Sequence, residues 1–519
     1  MPTLVLSTAG KTLHLTCTAQ QSVLEALTTA QIKISSACAG HGFCGLCKIT
    51  LKAGVVSQLT AIEQDKLSQS QIAQGTRLAC QVYPGSDLTL TIENTLNTLS
   101  WKRLSSLDKI LLNEQDSYAI ALDLGTTQLR LSLWNLTQQR RVMAWLIFNP
   151  QYQFGADILN RLTAAQSLDN AIEMLLLIQQ AIKKIIRVIA KLIPLAQLKK
   201  LYVVGNTAML ALLAQKNYLS LLNPTYWSQY LDCTITNVST WQTALGLTAT
   251  TDIATVPPLA GFIGSDLLAG LFSTGLMRDT RCRLLIDFGT NSEMALWDGS
   301  KLWISSVPGG PAFEGCGISC GMPVGEGAIY QIAAPSSSNW DYKVIGQKKP
   351  LGLCGSGLVD AIAHLISTRQ LQRNGRFTTK EAKEISLPLS ATVALAIKKQ
   401  DIDIFQQAKA ATGAAIVQLF KQSGVPLAAI ETLFVCGAFG QFLTIENAQA
   451  IGLLPPLAAE KIQLYQNSAL KGCELLLSRP QSLGSLSEIR AKTTLLNMSY
   501  VLNFDECFVE NLYLQPMQF

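Results

Sequence analysis

Residues 118–134 read YAIALDLGTTQLRLSLW, and residues 284–297 read LLIDFGTNSEMALW. In both stretches an apolar strand runs into a turn that holds an aspartate, a glycine and a threonine, and a second strand follows. A single turn of this kind is a weak signal because Asp-Gly turns are common. Two copies in one chain are far more specific, and they predict two related halves, each with a phosphate-facing hairpin.

The two turns carry the residue types that a nucleotide and its metal ion require. Backbone N–H groups and hydroxyls donate hydrogen bonds to phosphate, and a carboxylate holds a hydrated Mg²⁺. We therefore predict Asp123 and Asp287 as the metal-side carboxylates of a catalytic site. Glu293 is predicted to place the attacking water, and a charge on a strand face explains it equally well. The predicted phosphate donors are Gly125, Thr126, Thr127, Gly289, Thr290 and Asn291.

Two later glycine-rich stretches complete the pattern. Residues 351–360 read LGLCGSGLVD, and residues 435–440 read VCGAFG. Each suits close approach to a nucleotide, and each alone is equally typical of a tight turn or of close helix packing. Together with the two aspartate turns, in this order, they predict the acetate kinase/sugar kinase/Hsp70/actin (ASKHA) nucleotide fold. The further predicted cofactor-binding residues are Gly355, Ser356, Gly357, Gly437 and Gly440.

A cysteine-rich loop lies near the N-terminus. Residues 37–47 read ACAGHGFCGLC, which places Cys38, Cys44 and Cys47 on one glycine-rich loop, and Cys80 follows after 32 residues. Three thiolates on one loop and a fourth further along can enclose a [2Fe–2S] cluster. The alternatives are a structural zinc site or free thiols, but zinc sites usually contain two C-x2-C pairs, and only one is present. The surrounding strand–helix–loop–strand order resembles a β-grasp ferredoxin.

These signals predict an α/β multidomain protein. We expect a [2Fe–2S] ferredoxin-type domain over residues 1–93 and a polar linker with one or two helical turns over 94–117. A middle domain, the first ASKHA half, is expected over 118–200, and the C-terminal ASKHA ATPase region over 201–519. A long amphipathic helix is predicted over 171–192.

Composition narrows the functional classes. Of 519 residues, 48% are hydrophobic and 15% are charged, which is typical of large buried cores. A net charge of +6 over this length does not favour nucleic acid as a partner, and three histidines argue against a histidine-rich metal site. Neither an export signal nor a long apolar run is evident, so we expect a cytoplasmic protein without a membrane span and with reduced cysteines.

The whole chain resembles the RACo/RamA-like reductive activators of corrinoid proteins. Two departures are Cys436, where many relatives have glycine or alanine, and Phe154, where tyrosine is usual. The chain is also shorter than many relatives. Six further segments carry the resemblance: NPQYQFGADILNR at 149–161, VGNTAM at 204–209, GFIGSD at 261–266, GPAFEGCGISCGM at 310–322, GLCGSGLVD at 352–360 and DIFQQAKAA at 403–411.

The resemblance implies an ATP-dependent enzyme that transfers one electron from a [2Fe–2S] cluster to a partner corrinoid protein and so returns Co(II) to Co(I). The implied cofactors are the cluster and ATP with Mg²⁺. A plant-type cluster has a potential near about −400 mV, and each ~59 mV uphill costs about 1.4 kcal/mol for one electron, so ATP coupling can supply the gap. The resemblance also implies a homodimer and leaves the upstream reductant open.

Two other functions remain as alternatives. The first alternative is an ATP-driven electron donor to another iron–sulfur enzyme. The second is a redox-sensing ASKHA ATPase that acts as a binding module. A plain sugar kinase would leave the ferredoxin domain without a task. A second cluster at Cys316, Cys320 and Cys354 lacks a clear fourth ligand.

Overall fold

A computed structural model describes most of the chain. The described residues are 1–8, 11–30, 32, 34, 40, 42, 45, 47–67, 69–92, 101–104, 112–113, 115–155, 157–315, 317–333, 339–346, 349–379, 381–390, 393–437, 439, 441–478 and 486–519.

The chain divides into two compact units. The first comprises residues 1–103, 126–129 and 145–182, and the second comprises residues 104–125, 130–144 and 183–519. Among the described residues, no helix has the length and apolar character that crossing a membrane requires.

The N-terminal residues form a five-stranded sheet with strand order β2-β1-β5-β3-β4. Its first and last strands in the chain, β1 and β5, pair in parallel, and the other pairings are antiparallel. Ser22 and Thr60 begin the first two helices with capping boxes that use Glu25 and Glu63. This arrangement confirms the predicted β-grasp domain. The elements are β1 (Thr3–Thr8), β2 (Lys11–Thr16), α1 (Val23–Thr29), β3 (Lys48–Ala53), α2 (Ala61–Lys66), α3 (Gln69–Ala73), β4 (Thr76–Leu78) and β5 (Leu88–Thr91).

A second sheet follows, with strand order β11-β10-β7-β8-β9-β6. Strand β7 is buried along its whole length, as its continuous apolar run predicts, and it pairs in parallel with β10. The predicted long helix is present as α5. The elements are β6 (Lys102–Leu104), β7 (Tyr118–Leu124), β8 (Gln128–Asn135), β9 (Arg140–Phe148), α4 (Ile158–Ala164), α5 (Leu168–Ile189), β10 (Leu198–Gly205), α6 (Thr207–Ala214), α7 (Val238–Leu245), β11 (Asp252–Thr255) and α8 (Ser265–Thr274).

The third sheet repeats this plan with strand order β21-β20-β12-β13-β14-β22. The elements are β12 (Arg283–Phe288), β13 (Ser292–Trp297), β14 (Leu302–Val307), α9 (Gly310–Phe313), β15 (Ala328–Ala333), β16 (Asp341–Val344), β17 (Gly352–Leu353), α10 (Gly355–Ser367), β18 (Glu384–Ser390), β19 (Val393–Lys398), α11 (Lys399–Ser423), β20 (Thr432–Gly437), α12 (Ile445–Ala450), β21 (Ile462–Leu464), α13 (Ser468–Ser478), α14 (Leu486–Lys492), β22 (Thr493–Leu495) and α15 (Phe504–Asn511). Short 3-10 helices lie at Ala79–Gln81, Pro150–Phe154, Leu195–Gln197, Tyr218–Leu222, Pro224–Tyr226, Leu427–Ala429, Ala459–Lys461 and Met498–Tyr500.

The second and third sheets share one topology, which confirms the predicted internal repeat. In each sheet five strands, counted along the chain from β7 or from β12, lie in the order fifth, fourth, first, second, third; the sixth, at the edge, is β6 in one sheet and β22 in the other. The first two strands of each repeat flank one of the two aspartate turns. The duplicated turn in the sequence therefore corresponds to a duplicated strand order in the structure.

One boundary prediction needs correction. A division at residue 200 cuts through β10, which belongs to the same sheet as β7, so the boundary between the halves lies between β11 and β12. Within the expected linker, the described residues 102–104 form strand β6, and most of the other linker residues lie outside the described residues, so the predicted helical turns stay a prediction. A polar, glycine-free segment gives little local signal for a short edge strand, because sheet pairing decides whether such a strand forms.

Candidate functional site

Two aspartates lie at equivalent positions in the two repeats. Asp123 and Asp287 are each the penultimate residue of the first strand of their repeat, β7 and β12. In the third sheet, Asp287 lies directly between Glu293 on β13 and Cys436 on β20. The geometry thus places Asp287 and Glu293, both predicted as site residues, side by side.

Four carboxyl groups form what we call the carboxylate cluster: Asp123, Asp266, Asp287 and Glu293. Asp266 lies in the first turn of α8, and the backbone N–H of Gly264 donates to Glu293. Burial raises the pKa of Asp123 and of Asp287 to about 6 and that of Asp266 to about 7. Burial and the neighbouring carboxylates raise the pKa of Glu293 well above its usual range. Carboxylates buried close together favour a cation at this place.

Arg130 is a cation that acts on this cluster. Its guanidinium lies 3.6 Å from Asp123 Oδ2, and it lowers the pKa of both Asp123 and Asp287. The pKa values of Asp123 and Asp287 stay raised in spite of Arg130, so a divalent cation that binds here would stabilise their charged forms. Within the part of the chain that the structure describes, no group of three or more acidic, histidine or cysteine side chains forms a metal cage. Mg²⁺ does not need one, because it usually binds through one or two carboxylates and keeps several waters.

Sequence reasoning missed Asp266 and Arg130 as members of the site. Asp266 belongs to the quoted segment GFIGSD, but no role was assigned to it. The local signal was an acidic residue in the first turn of a helix, where the helix dipole stabilises negative charge. Arg130 stands in a strand that alternates like any surface strand, so its pattern held no signal for a site.

The first aspartate turn is held from outside by residues 149–161. The fully buried Arg161 donates from Nε to the carbonyl of Gly155 at 2.9 Å and from Nη2 to the carbonyl of Thr126 at 2.7 Å. The backbone N–H of Asn149 donates to the carbonyl of Thr127 at 2.9 Å. The segment therefore fixes the backbone of the turn whose predicted role is phosphate binding.

The second turn is closed by its own backbone. The N–H of Gly289 donates to the carbonyl of Asn291 at 3.0 Å. Thr290 Oγ1 donates to Glu314 Oε2 at 3.5 Å, and Glu314 also raises the pKa of Asp287. The roles of Gly289, Thr290 and Asn291 as phosphate donors stay predictions.

The later glycines have a clear packing role. A Cβ at Gly437, whose φ is +82°, would lie 2.4 Å from Asp287 Oδ1, so only glycine admits this carboxylate. A Cβ at Gly355 would lie 2.1 Å from the carbonyl of Phe313, and one at Gly357 would lie 2.4 Å from that of Ile329. Ser356 Oγ donates to the carbonyl of Tyr330 at 2.7 Å. Close packing of α10 thus accounts for the GSG stretch, and nucleotide contact there stays a prediction; Gly440 lies outside the described residues.

Two of the four predicted cluster cysteines are described. Cys47 and Cys80 are buried with their sulfurs 3.4 Å apart, and the N–H of Ala79 donates to the carbonyl of Cys47. Two thiolates bound tetrahedrally at about 2.3 Å to one ion lie about 3.8 Å apart, so this pair fits a shared iron. Gly42 and Gly45 have positive φ, which lets the loop curl. Cys38 and Cys44 lie outside the described residues.

The other cysteines of interest fit neutral thiols better than metal ligands. Burial raises the pKa of the Cys320 thiol to about 12 and raises that of Cys354 as well. Cys354 Sγ donates to the carbonyl of Ile329 at 3.3 Å. Cys316 lies outside the described residues.

Comparison with known families identifies all three regions. Residues 7–85 match the 2Fe-2S iron-sulfur cluster binding domain, residues 118–279 match the RACo middle region, and residues 281–519 match the C-terminal domain of RACo, the ASKHA domain. The chain belongs to the RACo family. The resemblance and the fold class that the sequence predicted are confirmed, as is the iron–sulfur type of the N-terminal domain.

Two relatives of this RACo-family chain carry names that state a function. The corrinoid activation enzyme RamQ of Eubacterium limosum is 29% identical over 435 residues, which cover 78% of this chain and 72% of that protein. The [Co(II) methylated amine-specific corrinoid protein] reductase of Methanosarcina barkeri is 27% identical over 265 residues, about half of each chain. A solved structure titled reductive activator for corrinoid, iron-sulfur protein matches over 100% of this chain with a TM-score of 0.68 at 24% identity, which shows a shared fold.

Proposed function

We propose that this RACo-family protein is an ATP-dependent enzyme that passes one electron to a partner corrinoid protein and returns its cobalt from Co(II) to Co(I). The observation that carries the proposal is the presence, in one chain, of the buried Cys47–Cys80 pair in a ferredoxin-type domain and of the carboxylate cluster in an ASKHA fold. The functions stated in the names of the two relatives support it. A homodimer and a cytoplasmic location remain expectations.

At the ferredoxin end, Cys47 and Cys80 hold one side of the cluster site, and Cys38 and Cys44 are the proposed ligands on the other. A [2Fe–2S] cluster bound there supplies one electron at a time. The side-chain amide of Gln81 donates to Cys80 Sγ at 3.6 Å, and such hydrogen bonds stabilise the more negative, reduced state. The buried ion pair of Glu63 with Arg77 anchors β4, the strand just before Cys80.

At the ASKHA end, Asp123 and Asp287 are the proposed metal-side carboxylates, and the charge of Asp123 raises the pKa of Asp287. Mg-ATP bound there supplies the free energy of phosphoryl transfer. The turns at 125–127 and 289–291 present backbone and hydroxyl donors for phosphate, and Glu293, next to Asp287, orients the attacking water. Arg130 offsets part of the negative charge until the metal ion arrives.

The two ends have a physical reason to work together. A plant-type [2Fe–2S] centre lies near about −400 mV, and an electron moved uphill costs about 1.4 kcal/mol for each ~59 mV. ATP meets such a gap when the protein has two states that differ in affinity for the partner. The proposed substrate is the Co(II) corrinoid of a partner protein, which the names of the two relatives support.

Anaerobic absorption spectroscopy tests the proposal. The reconstituted protein, a mild reductant and a Co(II)-loaded corrinoid subunit are mixed with and without Mg-ATP, and the Co(II) and Co(I) bands are followed. We expect Co(I) to form only with ATP, and to be lost in Cys47→Ser and in Asp287→Asn. The matched controls are Cys282→Ser and Asp232→Asn, which lie outside both sites and should retain activity.

A reduced cluster that leaves Co(II) unchanged with ATP, across several corrinoid partners, would contradict the proposal. The redox-sensing alternative would then lead. Reduction of a different iron–sulfur enzyme in the same assay would favour the electron-donor alternative.

A further inference from the structure

Ser468 touches the carboxylate cluster from a helix that no sequence motif singled out. It is the first residue of α13 and only 3% exposed. Its Oγ donates to Asp287 Oδ2 at 3.3 Å. A hydroxyl that donates to a buried carboxylate makes a charge-assisted hydrogen bond, which fixes orientation as well as adding energy.

The other oxygen of Asp287 is limited by backbone. A Cβ at Gly437 would lie 2.4 Å from Asp287 Oδ1 and 2.3 Å from the carbonyl of Phe288, so the carboxylate lies against the bare Cα of the glycine. One oxygen of the Asp287 carboxylate therefore accepts from a hydroxyl, and the other oxygen lies against backbone atoms. The two together define the plane of the Asp287 carboxylate.

The position of Ser468 is itself held by strong constraints. Asn467, the residue before it, has a φ of +50°, a conformation that costs energy outside glycine and persists where the surroundings impose it. The N–H of Lys471 donates to the carbonyl of Asn467 at 2.9 Å. The left-handed residue turns the chain sharply after β21 and points the start of α13 at Asp287.

Helix α13 is packed directly on α8. A Cβ at Gly472 would lie 1.9 Å from the carbonyl of Ala269, so the two helix backbones touch. The first turn of α8 carries Asp266, and the first turn of α13 carries Ser468. One close helix pair thus presents both residues to the same cluster.

We propose that Ser468 is a positioning residue, which holds the Asp287 carboxylate in the orientation that receives the hydrated metal ion of the nucleotide. The inference rests on the proposed ATP-dependent function and names a residue of the same site. Outer partners of metal-binding groups typically change metal affinity or activity by about 10- to 100-fold when they are removed. Ser468 should therefore set the Mg²⁺ requirement of ATP hydrolysis.

Substitutions at Ser468 in the full-length, cluster-loaded protein test the inference. Cysteine keeps the size of serine but is a weak donor, and threonine keeps the hydroxyl. We expect Ser468→Cys to raise the Mg²⁺ concentration for half-maximal ATP hydrolysis by about tenfold or more, and Ser468→Thr to stay near the wild type. The matched control is Ser305→Cys, because Ser305 is buried and its hydroxyl donates to the backbone carbonyl of Leu496 at 2.9 Å.

Three outcomes would overturn the inference. The first is an unchanged Mg²⁺ requirement in Ser468→Cys, and the second is an equal change in Ser305→Cys. The third is a loss in both Ser468 variants that tracks a lower Tm, which would mark a merely structural serine. Asp287→Asn separates the failure of the inference from the failure of the proposed function. If Asp287→Asn lowers ATP hydrolysis and Ser468→Cys does not, only the inference fails; if Asp287→Asn has no effect, the nucleotide site itself is misplaced and both fail.

Discussion

Arg161 shows how one buried side chain shapes the first aspartate turn. Its planar guanidinium reaches the carbonyls of Gly155 and Thr126 at once. Lysine keeps the charge but lacks the fork that serves both acceptors. We therefore expect Arg161→Lys to weaken Mg-ATP binding by about tenfold or more, equivalent to about 1.4 kcal/mol, as measured by equilibrium titration with a fluorescent ATP analogue.

Arg140→Lys is the matched control, because Arg140 is exposed at the start of β9. It should bind the nucleotide as the wild type does. Equal affinities in Arg161→Lys and the wild type would mean that the turn at 125–127 keeps its shape without the guanidinium, and its proposed contact with phosphate would lose its support.

Local sequence could identify only part of the site. Asp123 and Asp287 were predictable because each follows an apolar strand and precedes a glycine in a repeated pattern. Asp266 and Ser468 were not assigned, since each begins a helix far along the chain, and their approach to Asp287 depends on how the helices pack. Gly437 was predicted for the nucleotide, whereas its Cα lies against the Asp287 carboxylate, a contact that spacing cannot reveal.

At the scale of elements, the α8–α13 crossing depends on one glycine. A methyl group at Gly472 meets the backbone of Ala269, whereas one at Gly270 in the same helix pair meets Leu285 and Ser468 at 3.7 and 4.0 Å. We expect Gly472→Ala to lower the free energy of unfolding by at least about 1–3 kcal/mol through overpacking. Gly270→Ala should be neutral or stabilising by up to about 1 kcal/mol, because alanine favours helix.

Thermal unfolding of the two variants checks this prediction. The Tm should fall in Gly472→Ala and hold or rise in Gly270→Ala. Because the crossing also positions Ser468 and Asp266, we expect Gly472→Ala to raise the Mg²⁺ requirement of ATP hydrolysis as well. A Gly472→Ala protein with the Tm of the wild type would show that the helices separate without cost.

The secondary-structure elements were predicted best where a periodic pattern was long. The buried run of β7, the alternation of β1 and β2 and the helical spacing in α5 all gave clear signals. The extent of the first ASKHA half was not predicted correctly, since β10 and β11 join its sheet through parallel pairing with strands distant in sequence. Parallel partners are set by the crossover helices and their packing, which local propensity does not encode.

At the scale of the whole molecule, the two described cluster cysteines and the carboxylate cluster belong to different compact units. Cys47 and Cys80 belong to the first unit, and the carboxylate cluster belongs to the second. The ferredoxin-type residues have a hydrophobic core of their own, which extends from Leu4 to Ile92. The proposed coupling of nucleotide hydrolysis to electron transfer requires both groups in one protein, and this chain carries both.

Residues 1–92 should therefore fold without the rest of the chain. Their five strands form one sheet and their buried apolar residues form one core cluster, so we expect the isolated segment to show the visible absorption of a [2Fe–2S] protein after anaerobic reconstitution. Arg77→Met in this segment would leave the fully buried Glu63 without its partner, which typically costs about 3–5 kcal/mol. Such a loss is large against the stability of a small domain, so the Arg77→Met segment should fail to fold or to hold the cluster. The matched control is Lys52→Met, at an exposed position of β3, which should fold and hold the cluster. An isolated segment that stays unfolded would mean that the ferredoxin core needs the remainder of the chain for its stability.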